Sequence, residues 1–361
     1  MEQEQGTLES LDMNKKFWKG KKVFLTGHTG FKGSWLSLML ADAGAEVHGF
    51  ALPPDRTPNM FESAEVADEL ASSTFGDIRD CALLKQTIDS INPQIVLHLA
   101  AQPLVRYSYQ NPLETYSVNV MGTANLLQVA LDNGNVKALV NVTTDKCYEN
   151  KEWVWPYREN EPMGGFDPYS SSKACSELVT AAYRQSFYEK AKIGLASARA
   201  GNVIGGGDWS PDRLLPDFLR AIDRKETLVI RSPQATRPWQ HVLEPLNGYL
   251  SLAEAVCSKP QEFSEAFNFG PEESDVQSVE WIVRQLCAQI DGSKYQIQPA
   301  TFHEAQCLKL DSSKAKSKLS WRPKLDLTQA LDLTLKWHKA WQQGENMRDV
   351  TLEQVRAYAS N

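Results

Sequence analysis

The feature that most constrains this chain is a regular alternation of short apolar strands with helices, which begins at Lys22. Strands are predicted at 23–25, 46–51, 95–99, 136–142 and 193–198, with helices at 33–43, 80–91, 114–131 and 169–190 between them. Such alternation forms β-α-β units, because two neighbouring parallel strands need a long crossover connection. The predicted fold class is therefore α/β, with a doubly wound parallel sheet.

The character of the chain changes near residue 205. Glycine, proline, tryptophan and arginine interrupt short elements as far as about Val242, and helices are predicted again at 244–256, 278–290 and 327–341. We therefore expect an N-terminal extension over 1–16, a dinucleotide-binding domain over 17–205 and a smaller substrate-binding lobe over 206–361. The lobe is expected to be partly discontinuous, with some of its elements returning to the sheet.

Composition excludes several classes of protein. The 361 residues are 42% hydrophobic and 23% charged, which is enough for a large core. A net charge of −7 predicts no nucleic-acid binding, and no apolar run reaches the roughly 18 residues of a membrane span. The first 16 residues lack a signal-peptide core, six cysteines form no C-x-x-C pair, and six histidines show no ligand spacing. We predict a cytoplasmic protein with no metal site.

A glycine-rich segment, T-G-H-T-G-F-K-G at 26–33, follows the first strand and opens the first helix. Its glycines would let backbone N–H groups approach a diphosphate at the positive end of the helix dipole. A glycine triplet alone also fits a tight turn, but the strand–turn–helix context favours a Rossmann-type dinucleotide site. The predicted cofactor residues here are Gly27, His28, Thr29, Gly30, Phe31, Lys32 and Gly33, with His28 placed to touch a phosphate.

The residues leave the type of dinucleotide open. An acidic residue is expected about 20 positions after the loop, where it would bind the ribose of NAD. Instead, Phe50, Ala51 and Leu52 end the second strand. Arg56, a little further on, is either a partner for the 2′-phosphate of NADP or an ordinary surface arginine.

Tyr169 and Lys173 lie in the segment Y-S-S-S-K at the start of a predicted helix. Residues i and i+4 share one helix face, so the ammonium group can lie beside the phenol and lower its pKa from about 10 towards neutrality. The phenolate would then be a general base for a substrate hydroxyl. The alternative is an ordinary helix surface, but the glycine loop and the strand ending N-V-T-T favour a catalytic pair.

Taken together, the glycine loop, the L-A-A-Q run at 99–102, the strand ending at Thr144 and the Tyr169–Lys173 pair resemble the extended short-chain dehydrogenase/reductase family. The resemblance covers about 17–341 and implies a tightly bound NAD with a sugar nucleotide held over it. It also implies that Thr144 shares a proton network with Tyr169, and that Asp77 binds the adenine amine. The cofactor residues that it implies are Asp77, Ile78, Leu99, Ala100, Ala101, Gln102, Asn119, Thr143, Tyr169 and Lys173.

The two residues after Thr144 distinguish subgroups of that family. Its epimerases carry small or apolar residues here, whereas its sugar-nucleotide 4,6-dehydratases carry an acid and a base. The resemblance implies that Asp145 is the acid that protonates the departing C6 hydroxyl. Lys146 stands where those enzymes have glutamate; a buried lysine of lowered pKa would be the C5 base, or it only positions the sugar. The non-functional alternative is an exposed Asp–Lys pair.

Three further segments, at 144–150, 201–209 and 237–242, are similar to the family members that act on CDP-glucose in dideoxysugar and surface-polysaccharide biosynthesis. The resemblance implies CDP-glucose as the substrate and a homodimer or homotetramer. Arginine suits a diphosphate because its planar fork binds two oxygens. The implied substrate residues are Thr144, Asn202, Arg213, Arg231 and Arg237. The alternatives are a dehydratase of UDP-N-acetylglucosamine or dTDP-glucose and, from another class, a non-catalytic dinucleotide sensor.

Overall fold

The computed structural model describes residues 14–298 and 307–360. A seven-stranded sheet forms its centre, with strands Lys22–Thr26 (β1), Glu46–Ala51 (β2), Ser72–Phe75 (β3), Ile95–His98 (β4), Ala138–Val142 (β5), Gly194–Ala200 (β6) and Ala266–Phe269 (β7). Every pairing in this sheet is parallel, and the strand order is β7-β6-β5-β4-β1-β2-β3. The predicted α/β class with a doubly wound parallel sheet is confirmed. Because the order reverses between β1 and β4, a crevice opens at their carboxyl ends.

Helices cover both faces of the sheet. The longer ones are Phe31–Asp42 (α1), Cys81–Ile91 (α2), Gly122–Asn133 (α3), Pro168–Tyr183 (α4), Leu214–Arg224 (α5), Leu243–Ser258 (α6), Val279–Gln289 (α7), Leu327–Gln342 (α8) and Met347–Ser360 (α9). Short α-helical segments are Lys15–Trp18, Met60–Ser63, Val105–Gln110, Pro112–Tyr116, Glu189–Ala191, Pro260–Phe263 and Ser313–Lys318. The other helical turns are Val66–Glu69, Ser117–Met121, Asp145–Cys147, Arg184–Tyr188 and Glu273–Asp275. Within the described residues, no helix has the length and apolar character needed to span a membrane.

From Val203 onwards, the chain forms small strand pairs and also joins the main sheet. The pairs are Val203–Ile204 with Gln240–His241, Thr236–Pro238 with Val276–Ser278, and Leu228–Ile230 with Tyr295–Ile297. β7 pairs with β6 at the sheet edge, so a late segment completes the nucleotide-binding sheet. The boundary at 205 stays a prediction. Of the predicted 1–16 extension, residues 1–13 lie outside the described residues.

The two faces of the sheet bury separate apolar cores. Successive strand residues point to opposite faces, so Leu25 packs with α1 and α6 while Phe24 packs with α2 and α3. Burial on both faces explains why β4 and β5 are mostly apolar, with every residue of both strands buried. Each fully buried side chain of this size contributes roughly 1.5–3 kcal/mol to stability.

The start of α4 is fixed by a helix cap. The side chain of Asp167 accepts a hydrogen bond from the Ser170 amide, and Pro168 occupies the first helical turn. Tyr169 and Lys173 therefore lie on the first turns of a helix whose start is defined by sequence, and both are buried against the sheet.

Candidate active site

The glycine loop has two closely packed glycines and one that faces open space. A Cβ on Gly33 would lie 2.0 Å from the carbonyl oxygen of Gly27, and one on Gly27, at φ +79°, would lie 2.7 Å from the Ala100 nitrogen. At Gly30 the only neighbour is the Gly27 oxygen, at 3.4 Å. Gly27 and Gly33 thus close the turn, while Gly30 at the N-terminus of α1 leaves room for a ligand to approach the backbone.

A cleft of about 430 Å³ runs from this loop to Tyr169 and Lys173 at the carboxyl edge of the sheet. Its size is that of a small-molecule site. Most of the predicted cofactor residues line it: Gly27, Thr29, Gly30, Phe31, Lys32, Gly33, Asp77, Ile78, Leu99, Ala100, Ala101, Thr143, Tyr169 and Lys173. The cleft therefore fits a dinucleotide with its diphosphate at the glycine loop and its reactive ring near Tyr169.

The side chain of His28 points away from the cleft. Its Nε2 lies 2.7 Å from the Ser73 hydroxyl, and its ring contacts Phe61 edge to face. Burial lowers the pKa of His28 to about 4, so the ring is neutral at physiological pH. The sequence placed His28 beside a phosphate, but the structure brings only its backbone to the loop.

Gln102 and Asn119 lie behind the cleft wall. The Asn119 amide donates to the Gln102 carbonyl at 3.0 Å and to the Ser172 hydroxyl at 2.8 Å, and its oxygen accepts from the Gln102 N–H. These bonds tie the loop after β4 to α4. The two residues predicted as cofactor contacts therefore support the wall that carries Leu99, Ala100 and Ala101.

Asp77 lies at the far end of the cleft, paired with Arg79. The guanidinium Nε of Arg79 is 2.9 Å from Asp77 Oδ1, and hydrogen bonds from this group hold the carboxyl pKa below its usual range. The carboxylate is ionised and faces the cleft, as an adenine amine requires. It must share its oxygens with Arg79.

Thr144, Asp145 and Tyr169 form a connected group at the end of β5. Thr144 caps the turn Asp145–Cys147, and its hydroxyl donates to Asp145 Oδ1 at 3.0 Å. The same side chain lies close enough to Tyr169 for a hydrogen-bonding interaction that lowers the pKa of the phenol. Asp145 has no exposed surface, and its Oδ2 has no hydrogen-bond partner among the described residues. The structure thus brings the predicted base and the predicted acid to either side of one hydroxyl.

The pKa of Tyr169 is shifted in the direction opposite to the one expected from its pairing with Lys173. Burial raises the pKa of Tyr169 to about 12, a shift that the hydrogen bond with Thr144 only partly offsets. Burial also lowers the pKa of Lys173 to about 8, and its amine donates to the Val142 carbonyl at 3.2 Å. The effect of burial on the Tyr169 pKa therefore outweighs the effect of nearby positive charge. The phenolate loses its hydration, and the neighbouring charges do not compensate for that loss.

Lys146 is only partly buried. Its side chain is 30% exposed, and its amine lies 3.4 Å from both Asp145 Oδ1 and Asn202 Oδ1. Asn202 is thus close to the end of β5, and its role as a substrate residue stays a prediction. The lysine is held between an acid and an amide, with part of its surface open to solvent.

The three predicted substrate arginines have different hydrogen-bond partners. Arg213 lines the cleft and pairs with Asp208 at 2.9 Å. Arg231 is 3.5 Å from Asp212, and Arg237 donates to the Thr236 carbonyl. Of the three, Arg213 is among the residues that line the cleft, and all three substrate assignments stay predictions.

Two buried acidic residues were missed from sequence. Glu177 accepts hydrogen bonds from the hydroxyls of Thr143 and Ser197 and forms a buried ion pair with Arg199 at 2.9 Å. The sequence offered a sign of this role, because Glu177 follows Lys173 by four residues and therefore lies on the same helix face. Asp208, within G-G-G-D-W at 205–209, is the counter-ion of Arg213. In the described ranges, no group of three or more His, Cys, Asp and Glu residues could hold a metal ion.

A crevice at the carboxyl edge of a parallel sheet, a G-x-x-G-x-x-G loop and a buried Thr–Tyr–Lys group are the features of an extended short-chain dehydrogenase/reductase. More particularly, the chain belongs to the GDP-mannose 4,6 dehydratase family, whose model matches residues 24–334.

Known relatives include dehydratases of several nucleotide sugars. The chain is 51% identical to CDP-glucose 4,6-dehydratase of Salmonella typhimurium, over 96% of this chain and 99% of that one. It is 26% identical to dTDP-glucose 4,6-dehydratase of Xanthomonas campestris, over 92% and 98%. The fold is similar to that of dTDP-glucose 4,6-dehydratase from Streptomyces venezuelae, solved with NAD bound, with a TM-score of 0.75, 24% identity and coverage of 90% and 98%.

Proposed function

We propose that this protein is an NAD-dependent 4,6-dehydratase that converts CDP-glucose to CDP-4-keto-6-deoxyglucose and water. The observation that carries the proposal is the position of Thr144 at the end of the cleft, where its hydroxyl donates to Asp145 and its side chain interacts with the Tyr169 phenol. This arrangement joins a base for one hydroxyl to an acid for another, which an epimerase does not need. The 51% identity to the Salmonella CDP-glucose 4,6-dehydratase supports the choice of substrate.

The cofactor in this proposal is NAD, held at the glycine loop with its adenine near Asp77 and Ile78. When bound, NAD⁺ supplies a hydride acceptor that later returns the hydride. NAD is favoured over NADP because Arg56, which lines the cleft, is already compensated by Asp55, with its Nε 2.9 Å from Oδ1. A 2′-phosphate would approach the Asp55 carboxylate as well as the arginine.

In the first step, Tyr169 takes the proton of the C4 hydroxyl while the C4 hydride leaves, so the C4 carbon becomes a ketone. Thr144 hydrogen-bonds to the phenol and orients the sugar hydroxyl. Because burial raises the Tyr169 pKa to about 12, deprotonation requires positive charge close by. Lys173 and the oxidised nicotinamide ring would supply that charge.

In the second step, water is eliminated across C5 and C6. The C4 ketone makes the C5 proton acidic, and we assign that proton to the amine of Lys146, which Asn202 holds in place. Asp145 gives its proton to the C6 hydroxyl, which departs as water. The hydride then returns to C6 and a proton to C5, so the overall reaction has no net oxidation or reduction.

The substrate diphosphate is assigned to Arg213, Arg231 and Arg237. Arg213 and Arg231 are paired with Asp208 and Asp212, so binding requires these pairs to exchange a carboxylate for a phosphate. Both arginines are about one third exposed, which keeps the cost of that exchange low.

We further propose that the product serves dideoxysugar synthesis for surface polysaccharide, and that the enzyme is a cytoplasmic homodimer or homotetramer. The helical segments after β4 and helix α4 would form the subunit contact. Exposed apolar side chains at Leu113, Met121 and Leu178 on these elements support that choice.

Mass spectrometry of the product from CDP-glucose deuterated at C4 tests the reaction. Deuterium at C6 of a 4-keto-6-deoxy product is expected, and its absence or a stoichiometric loss of NAD⁺ would contradict the proposal. A panel of CDP-, dTDP-, UDP- and GDP-sugars tests the substrate. Activity confined to UDP-N-acetylglucosamine or dTDP-glucose would select the alternative dehydratases, and NAD binding without any turnover would select a dinucleotide sensor.

A further inference from the structure

Lys32, between the second and third glycines of the loop, has an amine that the fold leaves without a polar partner. It lies in the first turn of α1 and lines the cleft. Its Nζ is 5.9 Å from the ring centroid of Tyr249 on α6, a cation–π arrangement. Among the described residues, this amine makes no hydrogen bond or ion pair. A lysine that lines a cleft and forms no ion pair within the described residues can interact with a ligand.

The groups around Lys32 come from four different parts of the fold and are mostly cationic. They are Lys173 on α4, Asp145 and Lys146 after β5, Arg213 before α5, and Tyr249 on α6. Burial, reinforced by the three neighbouring cations, lowers the pKa of Lys32 to about 7, and Asp145 opposes the shift. The charge of Lys32 therefore changes near neutral pH.

The position of Lys32 relates it to the redox ring of the proposed cofactor. Tyr169 takes the proton from the hydroxyl whose carbon loses the hydride, so the ring that accepts the hydride must lie beside Tyr169. Lys32 lines the same cleft as the Tyr169–Lys173 pair and is close enough to Lys173 and Asp145 for their charges to interact. That ring is positively charged when oxidised and neutral when reduced.

We propose that Lys32 sets the balance between the oxidised and reduced forms of the bound nicotinamide. Its ammonium repels the NAD⁺ ring and has no such effect on the neutral NADH ring, so it favours the form that stores the hydride. By reciprocity, arrival of the hydride favours protonation of Lys32. The inference rests on the proposed NAD cofactor and does not depend on which sugar is the substrate.

The experiment measures the dissociation constants of NAD⁺ and NADH, by fluorescence titration of the full chain after removal of bound dinucleotide. In the wild type, the ratio of the NAD⁺ constant to the NADH constant should rise about tenfold as the pH falls through about 7. Lys32→Met should lose this rise and give the lower ratio throughout. Lys32→Arg, which keeps its charge, should give the higher ratio at every pH.

Two features keep the test specific. Lys173 has a pKa of about 8, so any dependence on its titration should persist in Lys32→Met and lie at higher pH. Lys22→Met removes one cation at the opposite end of β1 and should match the wild type. A wild-type pH profile in Lys32→Met would overturn the inference. Failure of the wild type to bind either dinucleotide would instead count against the proposed cofactor.

Discussion

The two ends of the cleft are built in different ways. The predicted cofactor end comes from residues 27–33, 77–78 and 99–101, which follow β1, β3 and β4, and its glycine loop leaves backbone N–H groups open to a ligand. The substrate end gathers residues from 144–146, 202 and 208–213, with long charged side chains that are paired to carboxylates. A site made of backbone is shaped by folding itself, whereas one made of arginines takes its final arrangement when an anion replaces their carboxylates.

The largest expected effect is at the junction of the two ends, where Asp145 and Tyr169 meet through Thr144. Asp145→Asn cannot donate the proton to the C6 hydroxyl, so product formation should fall at least about a thousandfold. Oxidation at C4 should survive, so the near-ultraviolet absorbance of NADH should increase when CDP-glucose is added. Tyr169→Phe is the matched variant and should lose product without this increase. Near-normal turnover by Asp145→Asn would remove Asp145 from the mechanism.

The next effect concerns Glu177, which binds Thr143 in the cleft wall and the buried Arg199. Glu177→Gln leaves the Arg199 guanidinium buried without its counter-charge, so the free energy of unfolding should fall by about 3 kcal/mol in denaturant titration. Glu177 also raises the pKa of Lys173, so the variant should lower it. Because the ammonium form stabilises the phenolate, the alkaline loss of activity should shift to lower pH. Glu189→Gln, at an exposed position in the helical segment Glu189–Ala191, is the control. If Glu177→Gln and Glu189→Gln had the same pH profile of activity, Glu177 would have no role in setting the Lys173 pKa.

A smaller effect should separate the glycines of the cofactor end. Gly33→Ala forces its Cβ against the Gly27 oxygen, so stability should fall by about 2 kcal/mol and NAD affinity about thirtyfold. Gly30→Ala has room for its Cβ on the protein side and should lose affinity while keeping wild-type stability. Thermal unfolding and NAD titration measure both. Equal destabilisation in the two variants would contradict the assignment of Gly33 to the packing of the turn and of Gly30 to ligand binding.

The smallest effect is expected at the substrate end. Arg213→Lys keeps the charge but loses the two-pronged contact, so the KM for CDP-glucose should rise about fivefold with little change in kcat or NAD affinity. Arg158→Lys, at a largely exposed position, should leave KM unchanged. A rise in the NAD dissociation constant instead would place Arg213 in the cofactor end.

Local patterns predicted the fold and most of the cofactor end, because strand, helix and turn signals act over a few residues. The cap at Asp167 and the alternation of strands place Tyr169, Lys173 and the Thr144 strand end without knowledge of distant contacts. The direction of the His28 ring was not predictable in this way. It depends on Gly49 in β2, whose missing side chain leaves room for the ring, and on the Ser73 hydroxyl in β3, which hydrogen-bonds to it.

The sequence by itself determined the doubly wound sheet, the diphosphate turn and the order of acid and base along the chain, since spacing along one strand or helix decides each of them. Only the tertiary structure decided the pKa values and the ion-pair partners of these side chains. It raised the pKa of Tyr169, lowered that of Lys32, and paired Arg213 with Asp208, because desolvation and the distances between charges depend on which remote segments pack together.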